Sequence, residues 1–166
     1  MLLKGGLLAR LHPPALTRGD LRVEGDTIVA RGARLRAKRG EQVEDCRGRL
    51  ILPGLVCAHT HMYSALSRGM PAPAAPPKSF PDMLARVWWT LDQALDEEAI
   101  YYSAMVGAVE AVRAGTTTIF DHHASPNAIP GSLDIIREAF GVVGVRGVLG
   151  YEVTDRGGLR RRDAGL

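Results

Sequence analysis

The chain has 166 residues, 46% of them hydrophobic and 23% charged, with a formal net charge of +3. That composition fits a soluble globular protein long enough for one ordinary domain. It excludes a membrane span, because no apolar run approaches the roughly 20 residues one needs, and it excludes a disulfide framework, because Cys46 and Cys57 are too few. The opening Met-Leu-Leu-Lys-Gly-Gly lacks the layout of a secretion signal, so a reducing, cytoplasmic setting is expected. Basic residues gather at Arg31, Arg34, Arg36, Lys38 and Arg39 and again at Arg160, Arg161 and Arg162. No aromatics interleave them, so they read as solvated surface rather than a nucleic-acid interface.

Residues 1–52 read as short antiparallel strands of a small β-sandwich or sheet. Leu21, Val23, Ile28 and Ala30 flank Glu24-Gly25-Asp26, a hairpin turn in which glycine accepts a positive φ cheaply. His12, before Pro13-Pro14, reads as a surface residue. From residue 53 to 166 the pattern becomes α/β. Pro53-Gly54 precedes a short apolar strand, Leu55 to Ala58, that runs into His59-Thr60-His61. Met62 to Met70 is short, and four prolines between Pro71 and Lys78 make a loop. Ser79 caps a helix carrying Leu84, Val87, Trp88, Leu91 and Leu95, and Asp96 caps a second one carrying Ile100, Ala104, Val106, Ala108, Ala111 and Val112. Gly115 ends that helix. Thr116 to Phe120 is a strand leading into Asp121-His122-His123. A helix from Ser132 and a strand from Val145 to Val153 follow. Strand–helices–strand–helix–strand implies a parallel sheet, in which reactive groups collect at the C-terminal strand ends.

His59 and His61 leave their strand on one face, where two imidazoles can share a divalent cation at Zn–N distances of roughly 2.0–2.1 Å. Cys57 shares their parity and reads as a small core residue lying a layer deeper. Strict alternation lets only one of His122 and His123 face the pocket. Asp121 either orients a histidine or caps a turn. Trp88 joins the apolar stripe of its helix, which leaves Trp89 as the candidate for the pocket rim, and Glu152 is a polar candidate at the end of the third strand. His122, His123, Trp89 and Glu152 are thus the candidate substrate contacts, and His59 and His61 the candidate metal ligands.

Leu-Pro-Gly-Leu-Val-Cys-Ala-His-Thr-His at 52–61, with Arg68-Gly69-Met70, resembles the first barrel strand of the amidohydrolase superfamily, and Ala114-Gly115-Thr116-Thr117-Thr118 resembles its second. Val87-Trp88-Trp89, Tyr101-Tyr102-Ser103, Asp121-His122-His123-Ala124-Ser125-Pro126 and Tyr151-Glu152-Val153-Thr154-Asp155-Arg156 look most like the aminohydrolase and chlorohydrolase branch, in particular the aminohydrolases called SsnA. The resemblance implies a metal-dependent (β/α)₈ TIM-barrel hydrolase with a small β-sandwich. In that chemistry a metal-activated water attacks a carbon bearing nitrogen, and an amine leaves. It implies His59 and His61 as two ligands of one divalent ion, zinc before iron, and a small substrate that is a nitrogen heterocycle or amidine-like compound. The general base and the remaining ligands would lie beyond Leu166. Three barrel strands are fewer than the fold's eight, so the expectation is an incomplete barrel, a fragment that is inactive alone. Two other readings stand beside it: chlorohydrolase chemistry on the same fold, and a non-catalytic metal-binding or interaction module. No nucleic-acid or membrane partner is expected, and assembly into a homo-oligomer is left open.

Overall fold

Short runs of apolar residues broken by glycine and arginine favour strands over helices in the first third of the chain. The computed structural model describes all 166 residues, which form two compact units, Met1–Pro53 and Gly54–Leu166. In the first, β1 (Leu2–Arg10), β2 (Ala15–Glu24) and β3 (Thr27–Gly32) form an antiparallel meander, with Gly25 at φ 60° in the β2–β3 turn. The short strands β4 (Val43–Asp45) and β5 (Leu50–Ile51) pair with β1 in parallel, not antiparallel as expected. The physical reason is the loop at 33–42, which returns the chain to the starting end of β1. That loop is held by polar contacts. The Asp20 carboxylate, 2% exposed, accepts from the Gly5 and Leu35 N–H groups at 2.7 and 2.8 Å. Arg22 bridges Glu41 at 2.7 Å and the Arg36 carbonyl at 2.6 Å.

The second unit is built on three parallel strands in the order β6 (Leu55–Thr60), β7 (Thr116–His123) and β8 (Arg146–Tyr151). A 3₁₀ helix (Met62–Ser67) follows β6. Next comes a helical stretch of α1 (Phe80–Met83), a π-helical segment (Leu84–Trp88) and α2 (Trp89–Gln93), and then α3 (Glu97–Arg113). Helix α4 (Ser132–Val143) links β7 to β8, and α5 (Leu159–Ala164) lies near the end. Capping follows the sequence: the Ser79 hydroxyl accepts from the Asp82 N–H at 3.3 Å, and the Asp96 carboxylate accepts from the Ala99 N–H at 2.8 Å. Ile119 of β7 packs in one buried cluster with Ile100, Ala104 and Ala108 of α3 and Ile136, Ala139 and Phe140 of α4. The buried stripe of α3 is therefore narrower than its apolar content. Val106 and Val112 lie outside it, 41% and 44% exposed.

On the opposite face of this sheet Leu55, Val56, Phe120 and Val148 are all more than two-fifths exposed. Strand β6 is irregular. Cys57 registers with Ile119 but Thr60 registers with Asp121, so three residues of β6 span two of β7. Parallel partners share a face, which puts both Cys57 and Thr60 on the helix-covered side. Simple alternation from Cys57 to His59 does not hold: the bulge leaves Cys57 against the core and re-aims the residues after it.

Candidate functional site

The C-terminal ends of β6, β7 and β8 bring together most of the polar residues singled out in the sequence. His59 is the penultimate residue of β6 and is exposed, and His61 follows the end of the strand half-buried. Their rings meet edge to face with centroids 4.8 Å apart, and His122 of β7 approaches His61 in the same way at 5.3 Å. The Nδ1 atom of His61 lies 2.9 Å from the His122 carbonyl. A carbonyl oxygen only accepts, so Nδ1 carries the proton and donates, which leaves Nε2 as the free lone pair. Fixing the tautomer through a backbone carbonyl is a recurrent arrangement for metal-ligating histidines. The aromatic wall beside His61 is made by Tyr63 at 5.8 Å and Trp88 at 6.1 Å. Trp88 therefore both packs on the core and borders the histidines.

Alternation along β7 separates the two consecutive histidines. His122 is exposed on the open face beside His61. His123 points to the covered face, 0% exposed, with Tyr63 at 5.7 Å and Tyr151 at 5.9 Å. Its Nε2 is 2.9 Å from the Ser125 hydroxyl, which itself donates to the Ala128 carbonyl at 2.8 Å. The hydroxyl proton being used, Nε2–H is the donor and Nδ1 is a buried lone pair without a partner. Burial pushes the His123 imidazole down to about 4, so it is neutral at physiological pH. Asp121 shares that covered face at 4% exposed. One of its oxygens accepts from the Met62 N–H at 2.7 Å, the other has no partner, and burial raises its carboxyl above the ordinary range.

A second polar group lies at the end of β8. Arg156 bonds Asp92 at 2.7 Å and Glu152 at 3.1 Å, and its guanidinium stands over the Trp89 ring, 4.7 Å from the centroid. Trp89 and Glu152 thus meet through an arginine that the sequence pattern does not single out as a site residue. So does Asp92, a carboxylate 2% exposed whose pKa burial raises. A single aspartate on an apolar helical stripe gives no signal until its partner, 64 residues on, is known. A cleft of about 260 Å³ opens here, lined by Gln93, Tyr151, Glu152, Thr154, Arg156 and Arg161 among others. Tyr63 is pushed up to about 12, first by burial and then by the Asp92 and Glu152 carboxylates.

The donors present fit part of a cation site. His59 and His61 offer two imidazoles, one with its tautomer set, and no group of three or more His, Cys, Asp or Glu residues converges to hold an ion. Three protein ligands are usual for catalytic zinc.

Comparison with known proteins agrees with this geometry. Residues 50–165 match the amidohydrolase family. The chain is 30% identical over 155 residues to a 5-methylthioadenosine/S-adenosylhomocysteine deaminase of Pyrococcus furiosus, covering 93% of this chain and 34% of that protein. It is 30% identical over 146 residues to a 5′-deoxyadenosine deaminase of Methanobrevibacter smithii, covering 88% and 31%. Its fold superposes on atrazine chlorohydrolase TrzN from Arthrobacter aurescens, solved with zinc and atraton, with a TM-score of 0.73 at 24% identity over 90% of this chain and 35% of that one. The chain thus spans about a third of the length of the proteins it matches. No helix is long and apolar enough to cross a membrane. With its parallel strands, its paired histidines and a family match over residues 50–165, the chain belongs to the amidohydrolase family.

Proposed function

We propose that this chain supplies the first three strands and two of the metal ligands of a metal-dependent aminohydrolase. Its substrate would be a small nitrogen heterocycle of the adenosine-derivative kind. The observation that carries the reading is the His61 tautomer: with Nδ1–H committed to the His122 carbonyl, Nε2 is presented as a ligand beside His59. When bound, a divalent ion supplies the Lewis acidity that makes hydroxide available near neutral pH. His59 and His61 would hold it. His122 and Trp88 would border the reacting centre, and the Glu152–Arg156–Asp92 group with Trp89 would contact more distant parts of the substrate. Zinc is the favoured ion, since imidazole suits it and the triazine hydrolase with this fold was solved with zinc. Amine is favoured over halide as leaving group because the deaminases share more sequence with this chain than the chlorohydrolase does. Two free cysteines agree with a cytoplasmic location.

The test supplements the zinc-loaded chain with the remaining barrel segment of a deaminase relative, inactive by itself, and supplies 5′-methylthioadenosine or, separately, atrazine, measuring ammonia and chloride. Ammonia release that disappears in His61→Ala supports the proposal. Chloride release without ammonia moves it to halide chemistry. Neither product from the zinc-bound, supplemented chain makes this chain a metal-binding module without turnover.

A further inference from the structure

We propose that Asp121 is a positioning residue for His61: together with Ser103 it clamps the peptide that follows the histidine and thereby fixes where the imidazole points. The proposal rests on His59 and His61 being the cation ligands, and its test separates the two ideas.

His61 stands at the junction between β6 and the 3₁₀ helix, where a bulge has already broken the strand's regular ladder. Left alone, such a junction would let the imidazole sweep with its backbone. Here β7 grips it twice. The His122 backbone carbonyl takes the ring proton at 2.9 Å. From the covered face, the Asp121 carboxylate takes the Met62 N–H at 2.7 Å. That N–H is the first of the 3₁₀ helix and has no acceptor inside it, and His61, at the cap position, makes no side-chain cap of its own. The cap is supplied instead by a strand 59 residues away. Met62 is buried, so without Asp121 its N–H would be an unpaired buried donor.

The other side of the residue is tied to α3. The Ser103 hydroxyl, 1% exposed, donates to the Met62 carbonyl at 2.8 Å and accepts from the Leu66 N–H at 3.3 Å. Close approach of α3 is possible because position 107 is glycine: a Cβ there would stand 2.3 Å from the Met62 sulfur. The His61 carbonyl is also used, accepting from Ser64 through its N–H and its hydroxyl. The His61 carbonyl and both backbone groups of Met62 are therefore fixed by β7, α3 or the 3₁₀ turn. Of these contacts only Asp121 and Ser103 are side chains from other elements that can be removed individually. The second Asp121 oxygen has no partner, so Asp121→Asn can retain the contact that matters through its amide oxygen.

The experiment measures zinc affinity of the full chain by competition with a chromophoric chelator. It also reads the His61 tautomer by imidazole nitrogen chemical shifts without metal. Asp121→Ala is expected to weaken zinc binding by about 10–100-fold, the usual cost of losing a group that orients a ligand, and to shift His61 away from the Nδ1–H tautomer. Asp121→Asn is expected to stay within about threefold of the parent, as rescue through the retained acceptor predicts. A folded Asp121→Ala chain with parental affinity and tautomer overturns the proposal. If Asp121→Ala does not fold, Ser103→Ala decides: weaker zinc binding supports the clamp, and parental affinity with a parental tautomer overturns it. If the parent chain binds no zinc, the ligand reading fails, and the metal-free tautomer comparison alone decides the role of Asp121.

Discussion

His123 gives a stability signal that can be separated from the metal. Its folded pKa is about 4, below the 6.5 of a free imidazole, so the folded state resists a proton that the unfolded chain takes up. The stabilisation is complete above pH 6.5 and is lost as pH falls through that value toward 4. The interval is worth roughly 3 kcal/mol. The buried Asp121 and Asp92 carboxyls are shifted upward and act with the opposite sign, so the comparison must be made against a variant. His123→Phe should flatten the acid side of a plot of melting temperature against pH, and an unchanged slope would remove His123 as its source. Arg156 is the second residue-scale case. Asp92 is 2% exposed and pairs only with it, so Arg156→Ala leaves a buried carboxylate uncompensated. The expected loss is about 2–3 kcal/mol by chemical denaturation, below the range for fully buried pairs because the Arg156 side chain is 23% exposed. Asp92→Asn in the same background should recover much of it.

At the scale of elements, α4 packs closely against β8. A Cβ on Gly147 would stand 2.6 and 2.9 Å from ring carbons of Phe140, which is 2% exposed and has little room to move. Gly147→Ala should therefore cost about 1–3 kcal/mol in urea unfolding, as overpacking does, while an exposed glycine such as Gly141, with nothing near its Cβ, should tolerate alanine. Helix boundaries and caps are legible in the sequence because Ser79, Asp96 and Gly115 act through local chemistry. The β6 bulge is not, since it depends on which β7 residue each β6 residue meets. That is why parity alone groups Cys57 with the histidines. The choice between His122 and His123 is also undecidable from two adjacent histidines, and it is the register of β7 against its helices that settles which one lies beside His61.

For the molecule as a whole, the parallel α/β architecture and the family are readable because they rest on repeated local patterns and a run of motif residues. The Asp92–Arg156 pair and the Asp121–Met62 bond are not, because each joins positions about sixty residues apart. The central claim concerns His59 and His61, and calorimetric titration of the chain with zinc tests it most directly. The expected result is one zinc bound per chain and no binding by the His59→Ala/His61→Ala double variant, with its fold checked by circular dichroism. A parent chain that binds no zinc, or a double variant that binds it as the parent does, would contradict it.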